Sequence, residues 1–171
     1  MGCYPMPRVK GITAKEIEIL RKLVENGRVT YTQIARELGM SPAGVMKKVR
    51  KLEELGIIKG YTALVEHAKL GKGNKYIILL ETEPGKHTDV ARKVVELLGN
   101  SVLEVHEITG QYDVVLKVIA GNQSELNNIL RKIQSIPGLR DTNTSLVLDT
   151  VKERPSVVPD EIPGITTKKK S

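Results

Sequence analysis

Apolar positions fall into two regimes along the chain, first at helical spacing and later alternating with short helical runs between. Thr13 and Glu16 stand three apart as a capping box, a hydroxyl and a carboxylate each placed to satisfy free backbone N–H groups. Ile17, Leu20 and Val24 follow at helical spacing, and Asn26-Gly27 ends that helix. A second, short helix is expected over 31–38, with Ile34, Ala35 and Leu38 turned inward. Gly39 suits the positive φ of a tight turn. Ser41 then caps a third helix with Pro42 at its first position, where a missing N–H costs nothing. That helix runs to about Leu55, buries Val45, Val49 and Leu52, and stops at Gly56; short β segments are expected at 57–59 and 61–65.

Past Gly71-Lys72-Gly73-Asn74, which reads as a hinge, the pattern changes. A strand is expected over 76–82, and Val90, Val94, Leu97 and Leu98 mark a helix closed by Gly99. Two strands, 102–108 and 112–120, meet at Thr109-Gly110-Gln111. Leu126, Ile129, Leu130 and Ile133 mark another helix, ended by Pro137-Gly138, and 142–151 alternates as a last strand. The order β-α-β-β-α-β predicts an α+β, ferredoxin-like domain of four antiparallel strands with both helices on one face. The other face, carrying either Val114, Leu116 and Val118 or their alternating neighbours, needs a cover, and a second copy is the simplest one. The expected division is an extension at 1–11, a three-helix winged-type helix-turn-helix domain at 12–65, a hinge at 66–73, the ferredoxin-like domain at 74–153 and a flexible tail at 154–171.

Composition narrows the class. At 171 residues, two small domains fit the length. No run approaches the roughly 18 apolar residues of a membrane helix, and the first ten residues lack a signal-peptide core, so a cytoplasmic protein is expected. Cys3 is the only cysteine, which excludes a disulfide within one chain. Charge is uneven: residues 1–62 hold 12 Lys and Arg against 6 Asp and Glu, whereas 63–154 hold 12 of each. The basic excess therefore sits on the three-helix part, as expected where a polyanion is met. The run Lys168-Lys169-Lys170 suits solubility more than contact.

A short helix, a glycine turn and a second helix with a basic outer face is the geometry that places a helix in the major groove of duplex DNA. With Val45, Val49 and Leu52 inward, Ser41, Pro42, Ala43, Met46, Lys47 and Arg50 fall outward. Small residues at the helix start permit close approach, and the cations a turn later reach guanine acceptors or phosphates. The N–H groups at 41–43 offer an anion site. Tyr31, Thr32 and Lys48 complete the candidate DNA-binding set.

Residues 32–65, TQIARELGMSPAGVMKKVRKLEELGIIKGYTALV, closely resemble the DNA-binding domain of the leucine-responsive regulatory protein / asparagine-regulator (Lrp/AsnC, feast/famine) family of transcriptional regulators. Met40-Ser41-Pro42, the run from Val49 to Glu53 and the ending from Gly56 to Leu64 carry that likeness. Thr109-Gly110-Gln111-Tyr112-Asp113 and the strand after it resemble the family's Gly-x-Tyr-Asp loop; Ile136-Pro137-Gly138, then Thr144 and Ser145, resemble its last loop and strand. The likeness spans about 12–151. It implies a sequence-specific regulator acting as a dimer, often assembled into octamers, and many such proteins answer to an amino acid held between dimers. By motif, Gly110, Gln111, Tyr112 and Asp113 would lie at the effector pocket with Thr144 and Ser145 nearby. Backbone N–H groups of the loop suit a carboxylate, and Asp113 and the two hydroxyls suit an ammonium. Asp113 reads equally well as a turn-capping aspartate, and Tyr112 as a buried strand residue.

Some relatives of this architecture resemble decarboxylases of modified tetrapyrroles, in which histidines move the proton. His67, His87 and His106 show no metal-type spacing, and neither a Ser/His/Asp order, a phosphate loop nor a carboxylate pair stands out. The expectation is a regulator, not an enzyme, with no metal and no cofactor. A module that modulates other regulators without touching DNA is disfavoured by the basic first third.

Overall fold

The computed structural model describes residues 11–163 and Ile165. These divide into two compact units, 11–63 with 153–163 and Ile165, and Leu64–Lys152.

In the first unit, helices α1 (Ala14–Glu25), α2 (Tyr31–Leu38) and α3 (Pro42–Glu54) enclose Ile19, Leu23, Ile34, Ala35, Val45 and Val49. Each helix begins on a side-chain device that satisfies its first N–H groups: Glu16 reaches back to Thr13 N (2.8 Å), Thr30 and Gln33 form a reciprocal box, and Ser41 Oγ accepts from Gly44 N (3.1 Å). Gly39 closes α2 at φ 61°, a left-handed value that disfavours any residue with a Cβ. The inward face of α1 differs from expectation. Val24 is exposed, while Ile19 and the carboxylate-bearing Glu16 are buried, so the core stripe is centred on the 16–19–23 side of the helix.

The expected segments at 57–59 and 61–65 are not strands. Ile57 and Ile58 both donate to Leu52 O (2.9 and 3.1 Å) in a turn around Gly56. Beyond them, from Lys59 to Val65, the chain forms no ladder with another segment, and a strand exists only as half of one. The tail from 154, expected to be unstructured, packs on this unit. Val158, Ile162 and Ile165 lie against Ile12, Ile17 and Leu52, and Arg21 donates to Pro159 O (2.9 Å) and pairs with Asp160 (3.4 Å). Its prolines suggested an unfolded segment, but its aliphatic residues find an apolar patch to cover. Cys3 and the lysine run at 168–170 lie outside the described residues.

The second unit is built from β1 (Asn74–Thr82), α4 (His87–Leu98), β2 (Val102–Glu107), β3 (Val114–Ala120), α5 (Gln123–Gln134) and β4 (Leu139–Leu146). The strands form one antiparallel sheet in the order β2-β3-β1-β4, the ferredoxin-like arrangement. Period-two alternation sorts the side chains. Tyr76, Ile78 and Leu80 of β1 and Val114, Leu116 and Val118 of β3 face α4 and α5, whose Val90, Val94, Ile129 and Ile133 complete the core. At about 1.5–3 kcal/mol per fully buried aliphatic side chain, this layer dominates the unit's stability. The alternates Ile77, Leu79 and Val115 are therefore left half-buried on the other face, with Lys75, Glu81, Glu104 and Lys117 around them, while Ile119 on the same face is buried.

β4 starts three residues earlier than the alternation predicts and ends at Leu146 rather than Val151. Pairing with β1 sets both limits: Leu139 lies opposite Thr82, and Val147 N makes its last bond to Lys75 O beside the first residue of β1. Leu148 and Val151 beyond it are exposed. The expected hinge at 71–74 is fastened down. A Cβ on Gly121 would collide with the Gly71 carbonyl oxygen, Lys72 pairs with Glu125 (2.6 Å), and Glu125 also accepts Gly121 N (2.7 Å).

Candidate nucleic-acid interface

Three residues, Gly39-Met40-Ser41, separate α2 from α3. Val45, Val49 and Leu52 are wholly buried, and that anchoring fixes which side of α3 faces outward. Ser41, Pro42, Ala43, Met46, Lys47 and Arg50 are all exposed, as are Tyr31 and Thr32 at the start of α2. Among the described residues Lys47 and Arg50 have no hydrogen-bond or ion-pair partner, so both cations are available to an incoming polyanion. The N–H array at the helix start is smaller than the sequence suggests. Pro42 has none and Gly44 donates to Ser41 Oγ, which leaves Ala43 as the open donor of the first turn.

Lys48 is placed differently from its neighbours. Its Nζ lies 3.1 Å from Glu16 Oε1 on α1, and Lys51 Nζ reaches the same oxygen at 3.2 Å and also contacts the Gly11 carbonyl. Glu16 is only 2% exposed. Burial alone would raise its carboxyl, but the hydroxyl and N–H of Thr13 and the two ammonium groups outweigh it and bring the pKa down to about 2. Glu16 was legible as a capping residue; nothing in the spacing showed that it also gathers two lysines from a helix 32 and 35 residues away.

In the second unit the loop before β3 carries Gly110 (φ 128°), Gln111, Tyr112 and Asp113. β3 starts at Val114, so Tyr112 is a half-buried loop residue and not part of the strand. Asp113 Oδ2 accepts from both Thr82 N (2.7 Å) and Thr82 Oγ1 (2.9 Å), and Asp113 N donates to Leu80 O (2.9 Å). The backbone N–H of Thr82, then its hydroxyl, hold this carboxyl below its usual range. The bonds tie the end of the loop to the end of β1.

Thr144 and Ser145 do not join it. They pair with Ile78 and Ile77, so their side chains leave opposite faces of the sheet. Ser145 is also two strands across and three to four residues along from Asp113, roughly 15 Å at ordinary strand dimensions. One protomer therefore does not bring the loop and the Thr-Ser pair around a common point.

His87 lies near the loop, where its charge helps hold the Asp113 carboxyl low. His87 lies 3.6 Å from Glu107 and His106 lies 3.3 Å from Glu104. Among the described residues no group of three or more His, Cys, Asp or Glu is arranged to hold a metal, and no helix is long and apolar enough to cross a membrane.

Comparison with known proteins bears on each unit. The family model for winged helix-turn-helix DNA-binding matches residues 12–59, and that for the Lrp/AsnC ligand binding domain matches 75–157. The HTH-type transcriptional regulator FL11 of Pyrococcus horikoshii is 36% identical over 136 residues, covering 80% of this chain and 89% of the relative. Among solved structures, E. coli AsnC superposes with a TM-score of 0.77 at 28% identity, over 84% of this chain and 96% of the other. NMB0573 of Neisseria meningitidis, solved as a complex with L-Met, superposes with a TM-score of 0.78 at 25% identity, over 86% and 96%.

Proposed function

The chain belongs to the Lrp/AsnC family of transcriptional regulators, and from that premise we propose that α3 is its recognition helix, read out by Ala43, Met46, Lys47 and Arg50 in the major groove. Ser41, Tyr31 and Thr32 flank this face and suit contacts to the sugar-phosphate backbone. The observation that carries the reading is the turn at 39–41 combined with a fully buried inner stripe, which leaves two unpaired cations on the outer face one turn beyond small residues. Family membership makes the chain a DNA-binding regulator with a ligand-binding domain, not a catalyst.

Selection of bound fragments from random duplex DNA tests this, followed by binding to the selected and a scrambled sequence. If Lys47 or Arg50 reads a base, its change to Ala weakens the selected site by about 1–3 kcal/mol and relaxes sequence preference there. If it holds a phosphate, preference survives and the slope of log K against log salt flattens by about 0.9. Equal wild-type affinity for both sequences overturns the reading.

The second unit supports two further parts of the proposal. A second copy covers the sheet face of Ile77, Leu79 and Val115, because three half-buried aliphatic side chains side by side on that face cost free energy in water. An amino acid, such as the L-Met found in NMB0573, binds at the loop 110–113, where open backbone N–H groups suit its carboxylate. Because Asp113 is committed to Thr82 and β4 lies too far along the sheet, the rest of such a pocket comes from another copy. Assembly and ligand are then linked, and the ligand shifts DNA affinity by the same coupling energy with which DNA shifts the ligand.

A further inference from the structure

α3 carries four cations in five positions, Lys47, Lys48, Arg50 and Lys51, yet they are not equivalent. Two of them converge on one buried carboxylate oxygen, Glu16 Oε1, at 3.1 and 3.2 Å. The other oxygen of that carboxylate is taken by Thr13 N at 2.8 Å and by the Thr13 hydroxyl. Lys47 and Arg50 are exposed, with no partner among the described residues.

We propose that Glu16 is a positioning residue that divides the cations of α3 into two sets, holding Lys48 and Lys51 against α1 and leaving Lys47 and Arg50 to meet DNA. The proposal rests on α3 being the recognition helix. Its physical basis is an asymmetry of cost. A lysine on a flexible four-carbon stem would otherwise swing to any phosphate within reach. Each lysine drawn away from Glu16 removes a charge-assisted bond from a carboxylate almost wholly excluded from water, and losing both leaves it with Thr13 alone, a cost that an unpaired surface charge does not carry. The phosphate backbone repays one ammonium contact only with counterion release, and it gains that equally from a cation already free. The carboxylate therefore trims the electrostatic footprint of the helix. Sequence-independent attraction is kept small while the two cations best placed to read bases stay extended. Glu16 touches no DNA and acts only through its lysines.

The test is the salt dependence of binding to one duplex, for the full chain and five variants. Lys47→Ala or Arg50→Ala flattens the slope or relaxes sequence preference, as the reading of α3 requires. Lys48→Ala leaves the slope at the wild-type value, because Lys48 neutralises no phosphate. Glu16→Gln steepens the slope by about 0.9 for each lysine released and raises affinity for scrambled DNA. Adding Lys48→Ala to Glu16→Gln returns the part of that increase due to Lys48. The proposal is overturned if Lys48→Ala alone flattens the slope by about 0.9, or if Glu16→Gln binds with an unchanged slope. Lys48→Ala removes one partly exposed side chain, so it decides the question even if Glu16→Gln does not fold. If neither Lys47→Ala nor Arg50→Ala changes slope or preference, the assignment of α3 fails instead.

Discussion

Replacing Glu16 by Gln also makes a prediction about stability that can be worked from the carboxyl's environment. The folded pKa is about 2, lowered from 4.5 by Thr13, Lys48 and Lys51 against the opposing effect of burial. At about 1.4 kcal/mol per pKa unit, that difference amounts to about 3 kcal/mol of stability held by the ionised form. The carboxylate is 2% exposed, but Lys48 and Lys51 are 28% and 41% exposed, so solvent screening makes about 3 kcal/mol the upper end. Because the folded pKa is depressed, the contribution is complete above pH 4.5 and is lost as pH falls toward 2. Glutamine stands in for the protonated acid: it keeps the side chain's shape and an acceptor but lacks the charge. Urea unfolding followed by far-ultraviolet circular dichroism, at fixed protein concentration and pH 7, 5, 4 and 3, should show the gap between wild type and Glu16→Gln. We expect a gap of at most about 3 kcal/mol at pH 7 and 5 that narrows steadily at pH 4 and 3. Comparing the two proteins at each pH cancels the titration of every other carboxylate. A gap that stays constant across the series would refute the argument, since the charge would then contribute nothing beyond the side chain's packing.

Two more outcomes follow from the packing. Leu79→Lys places a charge in the middle of the uncovered sheet face and should reduce the mass measured by light scattering at micromolar concentration, while the core residues Ile78 and Leu80 on the opposite face keep the fold; an unchanged mass would put the assembly surface elsewhere. Gly39→Ala forces a Cβ into a left-handed backbone at φ 61° where there is free space around it, so the loss in thermal unfolding should be the backbone cost alone, about 1–2 kcal/mol.

The elements with strong periodicity were legible in the sequence, and so was the order that defines the second unit. Val45, Val49 and Leu52 recur at helical spacing because one stripe of α3 is wholly enclosed, and Ile78 and Leu80 alternate because one face of β1 is. What the sequence did not show depends on partners distant along the chain. β4 begins and ends where β1 does, which no pattern within 139–151 reveals. Glu16 reads as an ordinary cap, since burial of a carboxylate is set by lysines supplied from another helix. The segment 154–165 is rich in proline and reads as unfolded, yet Val158 and Ile162 meet an apolar patch made by Ile12, Ile17 and Leu52. Thr144 and Ser145 looked like a pair because they adjoin in sequence. On a strand, adjacency is what separates two side chains, and they leave opposite faces.

The fastening of Gly71 to Gly121 has a consequence for protein engineering. Exchanging DNA-reading heads among relatives requires a splice point, and the glycine-rich stretch 71–74 looks like the natural place to cut. It is a poor one. Residue 121 must stay side-chain-free for the chain to pass at Gly71, and Lys72 must meet Glu125, so the short stretch is one half of a matched seam whose other half lies some fifty residues on. A foreign linker joined there would have to bring both complements with it. The join between Ala63 and Leu64, where the two units divide and the flanking residues are exposed, spares that seam, but the head before it also holds Val158, Ile162 and Ile165 against Ile12, Ile17 and Leu52 and pairs Arg21 with Asp160. Chimeras therefore need two joins, one at 63–64 and one at 152–153, so that a transplanted head brings its own C-terminal cover and the ligand-binding unit between them stays intact.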